Sequence, residues 1–160
     1  MTDERDLWNQ VIFVRKATLF EVKELTEADA DRIPNGYNNS IRWNLGHIGT
    51  IQAMLVNGYS SHRVELPARY EKFFARGTSP ADWEEAPPTL DEIRFFMRNQ
   101  TDQLQTVLSS HLDEPLKEPF PIGKAQIETV GELLRFSLYH EGLHTGVFKG
   151  IKKTIHSSEK

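Results

Sequence analysis

Two histidines one helical turn apart are the residues of this chain best placed to do chemistry. His140 and His144 lie four positions apart in the segment Tyr-His-Glu-Gly-Leu-His. At that spacing both imidazoles project from the same side of an α-helix, as a pair of metal ligands must. Imidazoles buried without partners are costly, because their ring nitrogens need hydrogen bonds or a ligand. The two histidines belong to a stripe of one helix whose members alternate four and three positions apart: Leu133, Ser137, His140, His144, Val147 and Ile151. The pair therefore predicts a metal site on an inward-facing side of that helix.

The same segment matches the zinc-protease motif His-Glu-x-x-His, in which Glu141 would be the general base. The context argues against a metzincin protease, because that family has a glycine and a third histidine where this chain has Val147 and Gly150. Glu141 is nevertheless predicted as a catalytic residue, either as a base or as a group that supports the ligands. A carboxylate at the surface or in an interface is an equal alternative.

A third ligand must come from elsewhere in the chain, and His47 is the best candidate. Gly46 and Gly49 lie beside it and are poor helix formers, which indicates close approach of a neighbouring helix or a ligand. Three histidines with an open coordination position are typical of catalytic metal sites. Two simpler interpretations stay open: a hydrogen-bonded core histidine, and an empty site whose imidazoles bond to backbone or carboxylates. The remaining histidines are predicted to be solvated or capping residues: His62, His111 and His156.

Three polar residues on predicted helix faces are candidates for binding a substrate. Asn44 lies about one turn before His47, Gln100 interrupts the apolar face of a third helix, and Arg15 interrupts that of the first. A polar side chain that faces a core needs a partner, which a substrate can provide. The alternatives are a bond from Asn44 to a histidine nitrogen, a backbone bond for Gln100, and an Arg15 side chain that extends past apolar surface to water.

Hydrophobic periodicity predicts four long helices that position these residues, over about 4–25, 41–59, 89–112 and 129–152. Asn39 or Ser40 caps the second helix, and capping boxes begin the third and fourth at Thr89 and Thr129. The pattern predicts an all-α fold, a four-helix bundle with long crossover connections.

The two long connections are residues 60–88 and 113–128. Prolines exclude a continuous helix from the second, and neither connection has a convincing strand pattern. A long ordered loop is usually functional or packed against something. The first connection carries aromatic residues with three candidate roles, as a lid or wall of a substrate site, as a cap on the open end of the bundle, or as part of a dimer interface: Tyr70, Phe73, Phe74 and Trp83.

Composition narrows the class of protein. The 160 residues fit a single domain over 1–160, with 38% hydrophobic and 26% charged residues. A net charge of −4 argues against nucleic-acid binding. There is no apolar run long enough for a membrane span and no signal-peptide pattern, so a cytoplasmic location is expected. The absence of cysteine excludes disulfides, thiolate ligands and a cysteine nucleophile, so any metal must be bound by nitrogen and oxygen.

Three segments of the chain resemble the DinB/YfiT-like superfamily. They are Ser40–Ile48, Phe74–Trp83 and Thr129–Gly146, which span almost the whole chain in that family's order. The resemblance implies a four-helix bundle of the DinB/YfiT-like type and a homodimer packed through its helices. It also implies a metal held by His47, His140 and His144.

The function that the resemblance implies is less specific than the fold. Members include thiol transferases that use bacillithiol- or mycothiol-type cofactors and a thiol-dependent isomerase. Our first hypothesis is a metal-dependent enzyme that activates a small-molecule thiol for attack on an electrophilic small-molecule substrate. Zinc or nickel is the expected metal, before iron or manganese. The alternatives are a metal-dependent hydrolase and a non-catalytic, dimerising, stress-related metal-binding bundle.

Overall fold

Four long helices form the body of the protein. The computed structural model describes residues 3–157. Its long helices are α1 (Glu4–Glu21), α3 (Ile41–Tyr59), α5 (Leu90–Leu108) and α6 (Val130–Ser157). Helices α1 and α3 each pack against both α5 and α6, so the four enclose a common core. Short helices lie in the connections: α2 (Glu27–Asp31), α4 (Tyr70–Phe74) and a 3-10 helix over Pro80–Asp82.

The predicted helix starts are confirmed, whereas three of the ends differ. Ser40 caps α3 by accepting a hydrogen bond from the backbone N–H of Trp43, and Thr89 and Glu92 form the reciprocal capping box of α5. Helices α1 and α5 each stop four residues before the predicted end, while α6 continues five residues past it. Ends are harder to predict because no glycine or proline marks them in these helices.

The prediction that residues 113–128 contain no strand was wrong. Strands β1 (Pro115–Ile122) and β2 (Ala125–Thr129) form an antiparallel hairpin, and Gly123 in its turn has a positive φ of 61°. Leu116 and Ile127 are buried by this hairpin, which packs against α3 and α6. Its prolines mask the strand pattern, since a two-stranded ribbon leaves edge positions that do not need a backbone donor.

A layer of polar side chains divides the buried core into two apolar halves. One half contains Ile48 and Phe148, and the other contains Val11, Ala53 and Leu134. Between them lie polar residues from all four long helices, which are buried in spite of their charge or hydrogen-bonding groups: Arg15, Gln52, Gln100, Ser137 and Glu141.

The buried face of α6 is rotated from the predicted stripe. Val147 is 42% exposed, and the neighbouring Phe148 occupies the core in its place. Glu141 is only 1% exposed, whereas His140 and His144 lie at the edge of the buried face. The physical reason is that a strict 4-3 spacing assumes 3.5 residues per turn, so a straight helix drifts away from it with every heptad.

Within residues 3–157, no helix is both long enough and apolar enough to cross a membrane.

Candidate metal centre

Three histidines converge where α3 packs against α6. The candidate ligand nitrogens of His47, His140 and His144 all lie within 4.8 Å of one another. The ring centroids are 5.1 Å apart for His47 and His140, 4.6 Å for His47 and His144, and 4.5 Å for the α6 pair. His47 is buried and the other two are half-buried, so the cluster is open on one side. The structure thus brings together all three predicted ligands.

Hydrogen bonds fix the orientation of two of these imidazoles. Nδ1–H of His47 donates to the carbonyl oxygen of Phe74 at 2.6 Å. Nδ1–H of His144 donates to Oδ1 of Asn44 at 2.7 Å, and Nδ2 of Asn44 donates to the carbonyl oxygen of Ser40 at 2.8 Å. With Nδ1 of both rings engaged as a donor, Nε2 is left with a lone pair, the arrangement that metal-binding histidines adopt.

All three imidazoles are held in the neutral form. Burial lowers the pKa of His47 to about 4 and that of His140 to about 3, and it also lowers the pKa of His144. An imidazole must be neutral to donate to a metal. Near neutral pH the cluster therefore presents three nitrogen donors, and its donor set fits a divalent transition metal.

Comparison with known proteins adds the family. A sequence model of the DinB superfamily matches residues 10–148, a span that includes the three histidines and most of the chain. The chain belongs to the DinB superfamily. The family resemblance found in the sequence is thereby confirmed. A comparison with curated proteins found no match.

Sequence reasoning missed three contacts that shape the centre of this DinB-superfamily protein. Trp43 stacks on His47 with ring centroids 4.3 Å apart and planes 16° apart, and its Nε1–H donates to Oγ1 of Thr78 at 2.9 Å. The spacing of Trp43 and His47, four residues apart on α3, was a signal for this stacking. The backbone carbonyl of Phe74 carries no signal in the sequence.

The aromatic residues of the 60–88 connection are part of the core. Tyr70, Phe73 and Phe74 are buried, and Trp83 packs against them. They pack against α3 as part of the core, and their role as a substrate wall, an end cap or a dimer contact stays a prediction. Through the Phe74 carbonyl they also position His47.

A substitution of Gly46 by alanine tests this positioning. A Cβ at Gly46 would lie 2.6 Å from the ring of Phe74, which is fully buried and cannot move aside freely. We expect Gly46→Ala to lower the free energy of unfolding by about 1–3 kcal/mol through overpacking. Urea denaturation measures it, with Gly58→Ala on the same helix as control, because a Cβ there meets nothing within 4 Å. Equal stability of the two variants would contradict the close packing of α3 and α4.

The other predicted site residues have different surroundings. Asn44 contacts His144, whereas Gln100 and Glu141 both accept hydrogen bonds from Arg15. Arg15 is 3% exposed, so the alternative in which it reaches water was wrong, and so was the surface alternative for Glu141. Gln100 does form the predicted kind of backbone bond, from Nε2 to the carbonyl oxygen of Gly49 at 2.8 Å. A catalytic role for Glu141 and substrate contacts of Asn44, Arg15 and Gln100 stay predictions.

The remaining histidines fall into two groups. His156 is exposed, as predicted for a solvated residue. His62 and His111 are not simply solvated, because both bond to the carboxylate of Glu114.

Proposed function

We propose that this DinB-superfamily protein is a metal-dependent enzyme that activates a small-molecule thiol, of the bacillithiol type, for transfer to an electrophilic substrate. The observation that carries the proposal is the cluster of three neutral imidazoles, two of them fixed with Nε2 free. His47, His140 and His144 would hold the metal, zinc or nickel before iron or manganese. The bound metal supplies a Lewis acid that lowers the pKa of a thiol at its open position.

Residues around the three histidines orient the ligands and keep the site open to a thiol. The carbonyl of Phe74 and the amide of Asn44 orient two ligands, and Trp43 covers one face of His47 and excludes water there. The half-buried sides of His140 and His144 leave the cluster reachable by a thiol and an electrophile. Since the chain has no cysteine, it offers no competing thiol of its own. The four packed helices support a bundle of the DinB/YfiT-like type around this site.

A conjugation assay tests the proposal. Zinc- or nickel-loaded protein, mixed with a panel of small thiols and a chromogenic electrophile, should conjugate at least one thiol faster than metal-free protein does. We expect His144→Ala to abolish the metal-dependent rate and Asn44→Ala to lower it by about 10–100-fold, because the partner that orients His144 is lost. The exposed His156→Ala serves as control.

Each other outcome has a defined meaning. Equal rates with and without metal for every thiol would overturn the transferase proposal. Metal-dependent cleavage of a chromogenic ester without any thiol would favour the hydrolase. Bound metal with no activity and no exchange of azide or thiol would favour a non-catalytic role.

A further inference from the structure

A second group of potential metal ligands lies far from the three-histidine centre. His62, His111 and Glu114 offer ligand atoms that all lie within 4.8 Å of one another. Helix α3 rises roughly 18 Å between His47 and its end at Tyr59, and His62 lies just beyond that end. The two groups are therefore separate sites at different levels of the helical body.

Glu114 joins the two histidines through its two carboxylate oxygens. Nε2–H of His62 donates to Oε2 at 2.8 Å, and Nδ1–H of His111 donates to Oε1 at 2.7 Å. The two imidazole rings are adjacent, with centroids 4.4 Å apart. His62 thus meets two groups from a single turn that lies about 50 positions later in the chain.

Backbone hydrogen bonds hold the segments that carry these side chains. The backbone N–H of His62 donates to Oγ of the buried Ser60, which donates in turn to the Val56 carbonyl at the end of α3. The N–H of Glu114 donates to the His111 carbonyl at 3.1 Å, and the Glu114 carbonyl accepts from Val130 at 3.0 Å. The ligand atoms are therefore presented by ordered backbone, which reduces the conformational entropy lost on binding.

We propose that His62, His111 and Glu114 form a second binding site for a divalent transition metal such as zinc. Two imidazoles and one carboxylate are an established zinc donor set. Around zinc, ligand atoms lie about 3.4 Å apart, so the present pairs must separate by about 0.6 Å. In each imidazole the proton on the coordinating nitrogen must also move to the other ring nitrogen, since a metal ligand needs a free lone pair. The side chains of His111 and Glu114 are 41% and 42% exposed, so they have room to move. Water can occupy the coordination positions of the metal that these three residues do not fill.

The location of the site indicates what the metal does. It connects the segment after α3 with the turn that leads from α5 into the hairpin. The same turn is bonded to the start of α6, since the N–H of Gly131 donates to the Leu112 carbonyl at 2.8 Å. A bound metal therefore clamps three elements together at this end of the protein and stabilises it.

Zinc stoichiometry tests the second site. The full chain, without an affinity tag, is stripped with chelator, dialysed against zinc and analysed for bound metal. We expect about two zinc ions per chain in the wild type and about one in either His144→Ala or Glu114→Gln, since each removes a ligand of one site only. The double variant should bind none. Glutamine keeps the size of Glu114 and one of its two acceptor oxygens but lacks the charge of a ligand.

The control is Glu118→Gln, which removes an exposed carboxylate from strand β1, just after the site, and should leave two ions bound. His62→Gln provides a second variant, which should also bind one ion. As an independent readout, zinc should raise the melting temperature of His144→Ala but not of the double variant. The proposal is overturned if Glu114→Gln and His62→Gln both bind as much zinc as the wild type. Failure of the three-histidine centre would instead appear as no loss of zinc in His144→Ala.

Discussion

Arg15→Met is expected to lower the free energy of unfolding by about 3–5 kcal/mol, because it leaves the Glu141 carboxylate buried and unpaired. The guanidinium forms a two-pronged bond with that carboxylate, at 3.0 Å from Nε and 3.2 Å from Nη2. Both side chains are almost fully buried. Ion pairs at the surface contribute little, but a charge left alone in the core has no water to replace its partner.

The neighbours of Arg15 make this pair part of a network across the whole core. Nη2 donates to Oε1 of Gln52 at 2.7 Å, and Nη1 donates to the Met97 carbonyl at 2.6 Å. Nε2 of Gln52 then donates to Oγ of Ser137 at 3.0 Å. Each donor has an acceptor, so methionine at position 15 leaves several acceptors without a donor as well as one charge without a partner.

Two further variants separate the buried charge from other effects of the substitution. Lys16→Met removes the same charge from an exposed neighbour on α1 and should change stability by less than about 0.5 kcal/mol. The double variant Arg15→Met/Glu141→Met removes both charges and should recover much of the loss, as apolar replacements of buried pairs do. Urea denaturation measures all four proteins. If Arg15→Met is as stable as Lys16→Met, the carboxylate of Glu141 is not left as an uncompensated buried charge.

This network also bears on the metal centre. Glu141 directly follows His140 on α6, and its bond to Arg15 of α1 fixes the rotation of α6 about its axis. That rotation determines where His140 and His144 point. Thr145 adds a second contact to the same helix, with its Oγ1 3.0 Å from Oγ1 of Thr18. The bonds of α6 to α1 in and beside the polar layer therefore help to position the ligands.

Local features of the structure could be predicted from the sequence. The turn-length spacing of His140 and His144 and the capping box of α5 depend on residues near one another in the chain. Gly46 indicated a close approach in the same way, although its partner, Phe74, lies far from it in the chain and was not predicted. His47 could be chosen as the third metal ligand because it is a histidine on a helix with an apolar face. For the same reason the family could be recognised from short segments.

The features that could not be predicted depend on pairs far apart in the chain. Arg15 and Glu141 are 126 positions apart, and His62 and Glu114 are 52 apart. A charged residue on an apolar face indicates that a partner is needed, but the sequence does not name the partner. The Phe74 carbonyl is a backbone group, so its bond to His47 leaves no trace in residue types. The homodimer and the cytoplasmic location stay predictions.

Removal of metal from the three-histidine centre is expected to lower the free energy of unfolding by about as much as Arg15→Met does. A metal that binds only the folded state stabilises it by about 2.7 kcal/mol at a free concentration 100 times its Kd, and by about 4.1 kcal/mol at 1,000 times. Measured in the Glu114→Gln background, which leaves only the three-histidine centre, zinc should raise the free energy of unfolding by such an amount. Adding His144→Ala to that background should abolish both the bound zinc and the stabilisation, whereas adding His156→Ala should preserve them.

The starting state of the ligands explains why the effect should be large. Burial already lowers the pKa of His47 to about 4 and that of His140 to about 3, so near neutral pH the metal displaces no proton from either ring. The Phe74 carbonyl and Asn44 already orient two of the rings, so little order is lost on binding. Equal stabilisation by zinc with and without His144→Ala would show that the metal binds elsewhere. Those three imidazoles would then be core residues, and the enzyme proposal would lose the observation that carries it.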